Sequence, residues 1–157
     1  MNAVLRFLSI AGVRGFLTAF GIFIAIYTWE CFAIKSGSYT HDRSGPGTFE
    51  VSLARYTHLT EFIVGLAVGS IVLLAGSSIY HTNGKLPPLY GSPLVLLAMS
   101  VALLVMCITC TTFFYEDSLY NPQNQTHRRY RLSVALGFSG LLCFVTGYVW
   151  LAFALMG

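Results

Sequence analysis

Two stretches of the chain, residues 62–80 and 94–114, contain no charged side chain. A hydrocarbon core about 30 Å thick is crossed by roughly 20 mainly apolar residues in a helix that rises about 1.5 Å per residue. Both stretches meet this requirement, and neither places a charge in lipid. They therefore predict two membrane-spanning helices.

Two further stretches, residues 15–34 and 132–156, have the same length and apolar character. The first carries Tyr27 and Trp29 near one end, where aromatic rings with a polar edge favour the headgroup level. Arg14 interrupts the apolar start of the chain, and no small-residue cleavage site precedes a polar region. We therefore expect the first stretch to be a retained helix rather than a signal peptide.

Composition supports this interpretation, because 55% of the 157 residues are hydrophobic and 10% are charged. A soluble domain usually has about 25% charged residues. Short connections make consecutive helices antiparallel neighbours. We predict one domain over residues 1–157, an all-α membrane protein whose four-helix transmembrane bundle runs up-down-up-down, with both termini on the same side.

The orientation of the bundle in its membrane stays open. Six basic residues fall in the first and third connections, which the positive-inside rule would place in the cytoplasm. The first helix often sets orientation, however, and it follows Arg6 and Arg14. Asn124 begins a triplet with the N-glycosylation pattern, and its use would place the third connection outside. Which membrane holds the protein is not predicted.

Small residues at four-residue spacing mark candidate packing faces on the helices. Because lipid tails are as apolar as leucine, helices associate where small residues let their backbones approach. Two interpretations stay open: packing inside the bundle, or a face that binds a partner. Either predicts that Gly69→Leu harms the folded protein. The candidate residues are Gly65, Gly69 and Gly76 in the second span, Ala135, Ser139, Cys143 and Gly147 in the fourth, Ala11, Gly15 and Ala19 in the first, and Ala98 and Ala102 in the third.

Cys107 and Cys110 form a Cys-x-x-Cys motif in an apolar segment, a pattern that supports dithiol and disulfide chemistry. The motif resembles that of the vitamin K epoxide reductase type of four-helix thiol enzymes. Those enzymes also use partner cysteines in a loop, whereas the connections here have none beyond Cys31 at a helix edge. A membrane thiol-disulfide oxidoreductase is thus one alternative function. The simpler interpretation is that the cysteines are small buried hydrophobes.

Arg14, Glu30 and Glu61 are the ionisable residues nearest to the predicted hydrocarbon. Charges inside a membrane are candidates for a transport role, but side chains near helix ends also reach the interface. A subunit of an oligomeric channel or carrier is therefore a second alternative. The spacing of His58 and Glu61 allows a pair or a cation site on one helix face. The histidines lie outside the spans or at helix ends, so we expect no haem, metal or other cofactor.

The span count and the longer first connection resemble the tetraspan claudins and MARVEL proteins in hydropathy alone. The claudin signature needs a second cysteine in that connection, which this chain lacks, and we assign no family. The nine basic residues are scattered and the net charge is only +3, so no nucleic-acid partner is expected. Our leading hypothesis is a non-enzymatic accessory, assembly or organising component of a membrane complex, with lipid and other membrane proteins or a second copy as partners.

Overall fold

The computed structural model describes residues 2–33, 48–76, 90–120 and 127–156, and these residues are helical. The helices are α1 (Asn2–Ala33), α2 (Thr48–Gly76), α3 (Gly91–Tyr120) and α4 (His127–Met156). Each helix is long and apolar enough to cross a membrane. The prediction of an all-α protein with four spanning helices is confirmed, while the up-down-up-down order stays a prediction. The apolar segments are Gly12–Ala33, Ala54–Leu74, Gly91–Asp117 and Arg128–Met156.

The helices continue beyond the predicted spans, and the largest difference is at α2. This helix begins at Thr48, so residues 48–55, which the sequence places in the first connection, are helical. The predicted span begins after Glu61 because the prediction excludes charged side chains from the hydrocarbon. The helix continues through this boundary, and the side chains of Arg55, His58 and Glu61 are exposed on its surface within the apolar segment Ala54–Leu74. The predicted end of this span, residues 77–80, lies outside the described residues.

The start of α3 is packed against α1. Pro93 lies in the first turn of α3, where its missing N–H costs no hydrogen bond, and it is fully buried. Gly15 of α1 approaches this turn so closely that a Cβ atom there would lie 2.8 Å from the carbonyl oxygen of Ser92. The absence of a side chain at Gly15 therefore allows the contact between α1 and α3.

The helices α3 and α4 form the central pair of the bundle. The Ser100 hydroxyl donates a buried hydrogen bond of 2.8 Å to the carbonyl of Gly140. Further along α3, the Cys107 thiol donates to the carbonyl of Ser133 at 3.2 Å. The later residue of α3 contacts the earlier residue of α4, so these two helices are antiparallel.

The helices α1 and α2 pack against different parts of this pair. Ala19 of α1 is buried against Leu96 and Cys143, in one cluster. Ala67 of α2 is buried against Leu97 and Leu151, in another. The adjacent residues Leu96 and Leu97 thus belong to separate clusters. The helices α3 and α4 therefore lie between α1 and α2 in these two clusters.

The outer surface of the bundle is strongly apolar. Leu73, Phe113 and Phe153 are 75%, 65% and 68% exposed. In water, a surface covered with such side chains would be an aggregation liability. In a bilayer, the same side chains face acyl chains of matching polarity. The folded surface is therefore compatible with a multi-pass membrane protein.

Candidate functional sites

The small residues of α4 face the interior of the bundle. Ala135, Ser139 and Cys143 are completely buried. A Cβ atom at Gly147 would lie 3.2 Å from side-chain atoms of Leu97. This part of the small-residue pattern lies where α4 packs against the rest of the chain.

The glycines of α2 have a different environment. Among the described residues, and apart from the local backbone of α2, a Cβ atom added at Gly65, Gly69 or Gly76 would meet no atom within 4 Å. Val72 and Leu73 follow at helical spacing on the same side and are 62% and 75% exposed. We call these five residues the glycine face of α2. Packing within the chain therefore gives no reason for Gly69→Leu to be harmful.

The opposite side of α2 attaches the helix to the bundle. Ile63 and Ala67 are buried, and Ala67 belongs to the cluster with α3 and α4. The Tyr148 hydroxyl of α4 donates to the carbonyl of Leu66 at 3.1 Å and also contacts the hydroxyl of Ser70. Since α2 is held from this side, the glycine face is directed away from the other helices.

The candidate small residues of α1 and α3 also differ from one another in burial. Gly15 and Ala19 of α1 pack against α3, whereas Ala98 and Ala102 of α3 are exposed. The side chain of Ala11 lies outside the described part of the chain. Identical spacing thus leads to buried and exposed positions in the same molecule.

The three candidate charges near the membrane edge occupy different environments. Arg14 and Glu61 are exposed. Glu30 is only 6% exposed, and its Oε2 atom has no hydrogen-bond partner among the described residues. The Arg131 guanidinium of α4 acts on this carboxylate electrostatically. Glu30 is therefore turned into the bundle rather than out towards the interface.

An ion pair joins α3 to the start of α4. The Arg129 guanidinium pairs with the carboxylate of Asp117. It also lies 5.4 Å from the centre of the Phe114 ring, within the range of a cation–π contact. Sequence reasoning missed this arrangement. The only indication of this ion pair in the sequence was that an acidic residue precedes the third connection and a basic residue follows it.

An open groove of about 290 Å³ lies beside this ion pair, between α1 and α4. Phe23 and Tyr27 of α1 form one wall, with their ring centroids 6.1 Å apart and the ring planes 20° from parallel. Residues of α4 form the other wall. The lining residues are Phe23, Tyr27, Arg128, Arg129 and Leu132.

The Cys-x-x-Cys residues are free thiols. Cys107 faces α4, where its thiol donates to a backbone carbonyl and its sulfur would lie 3.2 Å from a Cβ atom at Gly137. Cys110 is half-buried. The arrangement places Cys107 in a helix-packing contact, and the redox alternative stays a prediction.

His58 and Glu61 approach each other at 3.4 Å on the surface of α2. Within the described ranges, no group of three or more histidine, cysteine or acidic residues is arranged to hold a metal ion. The possible glycosylation site at Asn124 lies outside those ranges. No family model, curated protein or solved structure matches the chain.

Proposed function

We propose that this protein is a non-enzymatic component of a membrane complex and that it binds a transmembrane helix of a partner through the glycine face of α2. The partner is another membrane protein or a second copy of the chain. The observation that carries the proposal is the open space above Gly65, Gly69 and Gly76, where no described residue outside the local backbone of α2 has an atom within 4 Å of an added Cβ.

Helix association in lipid supports this assignment. Apolar side chains gain little by leaving acyl chains for one another, so close backbone contact and van der Waals packing provide the attraction. A GxxxG pair lets a second helix approach the backbone. The equivalent small residues of α4 are already used inside the chain, whereas Gly65 and Gly69 are not. A partner helix would occupy the space that they leave.

The double substitution Gly65→Ile and Gly69→Ile tests the proposal. We expect the wild-type particle in mild detergent to contain more than one polypeptide, and the variant to be monomeric. Size-exclusion chromatography with light scattering gives the protein mass, and mass spectrometry identifies each polypeptide. The thermal unfolding midpoint should stay near the wild-type value, because the new Cβ atoms enter space that no described residue occupies within 4 Å.

The matched control is Gly12→Ile with Gly21→Ile. In the part of the chain that the structure describes, a Cβ atom at either position of α1 also contacts nothing within 4 Å beyond the local helix backbone. This variant should keep the wild-type particle mass. A wild-type protein that is monomeric under these conditions would contradict the proposal. So would equal loss of association in the two double variants.

A further inference from the structure

The groove between α1 and α4 changes in character along its length. On α1, Tyr27 lies six residues before the end of the apolar segment at Ala33, and Phe23 lies one helical turn further inside that segment. Arg128 is the first residue of the spanning segment of α4, and Leu132 lies one helical turn further in, about 6 Å at a rise of 1.5 Å per residue. The arginines thus lie at the end of the apolar segment of α4, and the aromatic residues and Leu132 lie further inside the two apolar segments.

The two arginines of the groove have different surroundings. Arg129 is held by Asp117 and by the Phe114 ring, which fix its position at the groove. Arg128 is exposed, and no ion pair to it is found in the part of the chain that the structure describes. Glu116 is exposed on α3 and does not line the groove. The described lining residues therefore leave one positive charge at the polar end without an acidic partner.

We infer that this groove binds one anionic phospholipid, with its phosphate at Arg128 and Arg129 and its glycerol and upper acyl region along Phe23, Tyr27 and Leu132. A guanidinium group has five N–H donors and binds phosphate oxygens in a bidentate manner. Basic pockets between spanning helices are suited to anionic headgroups. The order of polar and apolar groups in the groove is the order found along a phospholipid.

The size of the groove agrees with partial enclosure of a lipid. Sites that enclose small ligands begin at about 300 Å³, so this open groove of about 290 Å³ lies at the lower limit and has room for only part of a lipid. The volume suits a headgroup region, while the acyl chains continue into the bilayer. The site uses α1 and α4, so the inference is independent of the glycine face on α2.

Native mass spectrometry of the purified protein in a neutral detergent tests the inference. Phosphatidylglycerol and phosphatidylcholine with the same acyl chains are added in equal amounts. We expect the wild-type protein to retain one phosphatidylglycerol molecule in preference to phosphatidylcholine. Arg128→Gln should weaken this retention about tenfold, which corresponds to roughly 1.4 kcal/mol, and Arg128→Lys should restore part of it.

Two further variants separate the groove from a general effect of charge. Arg55→Gln removes an exposed arginine from α2, outside the groove, and should leave the retention unchanged. Leu132→Trp fills the groove without changing the charge and should abolish the retention. The thermal unfolding midpoint of each variant shows whether the fold is intact.

Several results would overturn the inference. These are equal retention of the two lipids, equal effects of Arg128→Gln and Arg55→Gln, and undiminished retention in a folded Leu132→Trp variant. Inorganic phosphate, added in a further arm, should not displace the lipid at equal concentration. If it does, the groove binds the phosphate group alone and the lipid assignment is wrong.

Discussion

Two serines, one on α3 and one on α4, show that burial alone does not decide how much a polar residue contributes to stability. Ser100 and Ser139 are both completely buried. The Ser100 hydroxyl donates to the Gly140 carbonyl, whereas the Ser139 hydroxyl has no hydrogen-bond partner among the described residues. A hydrogen bond between spanning helices contributes modestly to stability, and an unsatisfied buried hydroxyl is unfavourable.

These environments predict opposite results for the same substitution. Ser100→Ala should lower the free energy of unfolding by about 0.5 to 1.5 kcal/mol, because it removes the bond to Gly140. Ser139→Ala should leave the free energy unchanged or raise it, because the hydroxyl has no partner to lose. Denaturant titration in mixed micelles measures both values, and equal losses in the two variants would contradict the assignment.

At the scale of the helix, α1 has glycines with opposite steric environments. A Cβ atom at Gly15 would lie 2.8 Å from the backbone oxygen of Ser92 and 3.1 Å from the Cβ atom of Val95. Neither atom belongs to a flexible side-chain end, so α1 would have to move away from α3. At Gly21, an added Cβ atom meets no atom of the other described residues within 4 Å, apart from the local backbone of α1.

We therefore expect Gly15→Ala to destabilise the fold by about 1 to 3 kcal/mol, the usual cost of overpacking. Gly21→Ala makes the same change in helix propensity without the clash, so the difference between the two variants isolates the packing term. Thermal unfolding in detergent compares them. A Gly15→Ala variant as stable as Gly21→Ala would show that the contact with Ser92 is not close in solution.

At the scale of the molecule, the direction of α1 relative to α4 bears on membrane topology. Ala19 shares a cluster with Cys143, while Tyr27, further along α1, lines a groove with Leu132, nearer the start of α4. Residues later in α1 thus lie beside residues earlier in α4, as in an antiparallel pair. We therefore expect the start of α1 and the end of α4 to lie at the same end of the bundle.

This arrangement predicts that the two chain termini emerge on one side of the membrane. Epitope tags at the N-terminus and the C-terminus should be either both accessible or both protected from protease in sealed vesicles. Detergent permeabilisation should expose all tags and serves as the control. Termini on opposite sides would contradict both this prediction and the antiparallel contact of α1 with α4.

The candidate sites were predicted only in part from the sequence. The spacing of small residues identified Gly65, Gly69, Ser139 and Cys143 but did not separate the exposed glycines from the buried residues. The hydrogen bond between Ser100 and Gly140 joins positions 40 residues apart. Such a pair depends on how two helices are aligned, and a single sequence contains no direct signal of that alignment.

The sequence by itself determined the four spanning helices, because long apolar segments in lipid must satisfy their backbone hydrogen bonds internally. The tertiary structure decided which small residues are covered. Gly147 of α4 approaches Leu97, while a Cβ atom at Gly69 of α2 would contact no residue of the other described helices. A spacing of four residues specifies a helix face, but only the position of the neighbouring helices decides whether that face is buried.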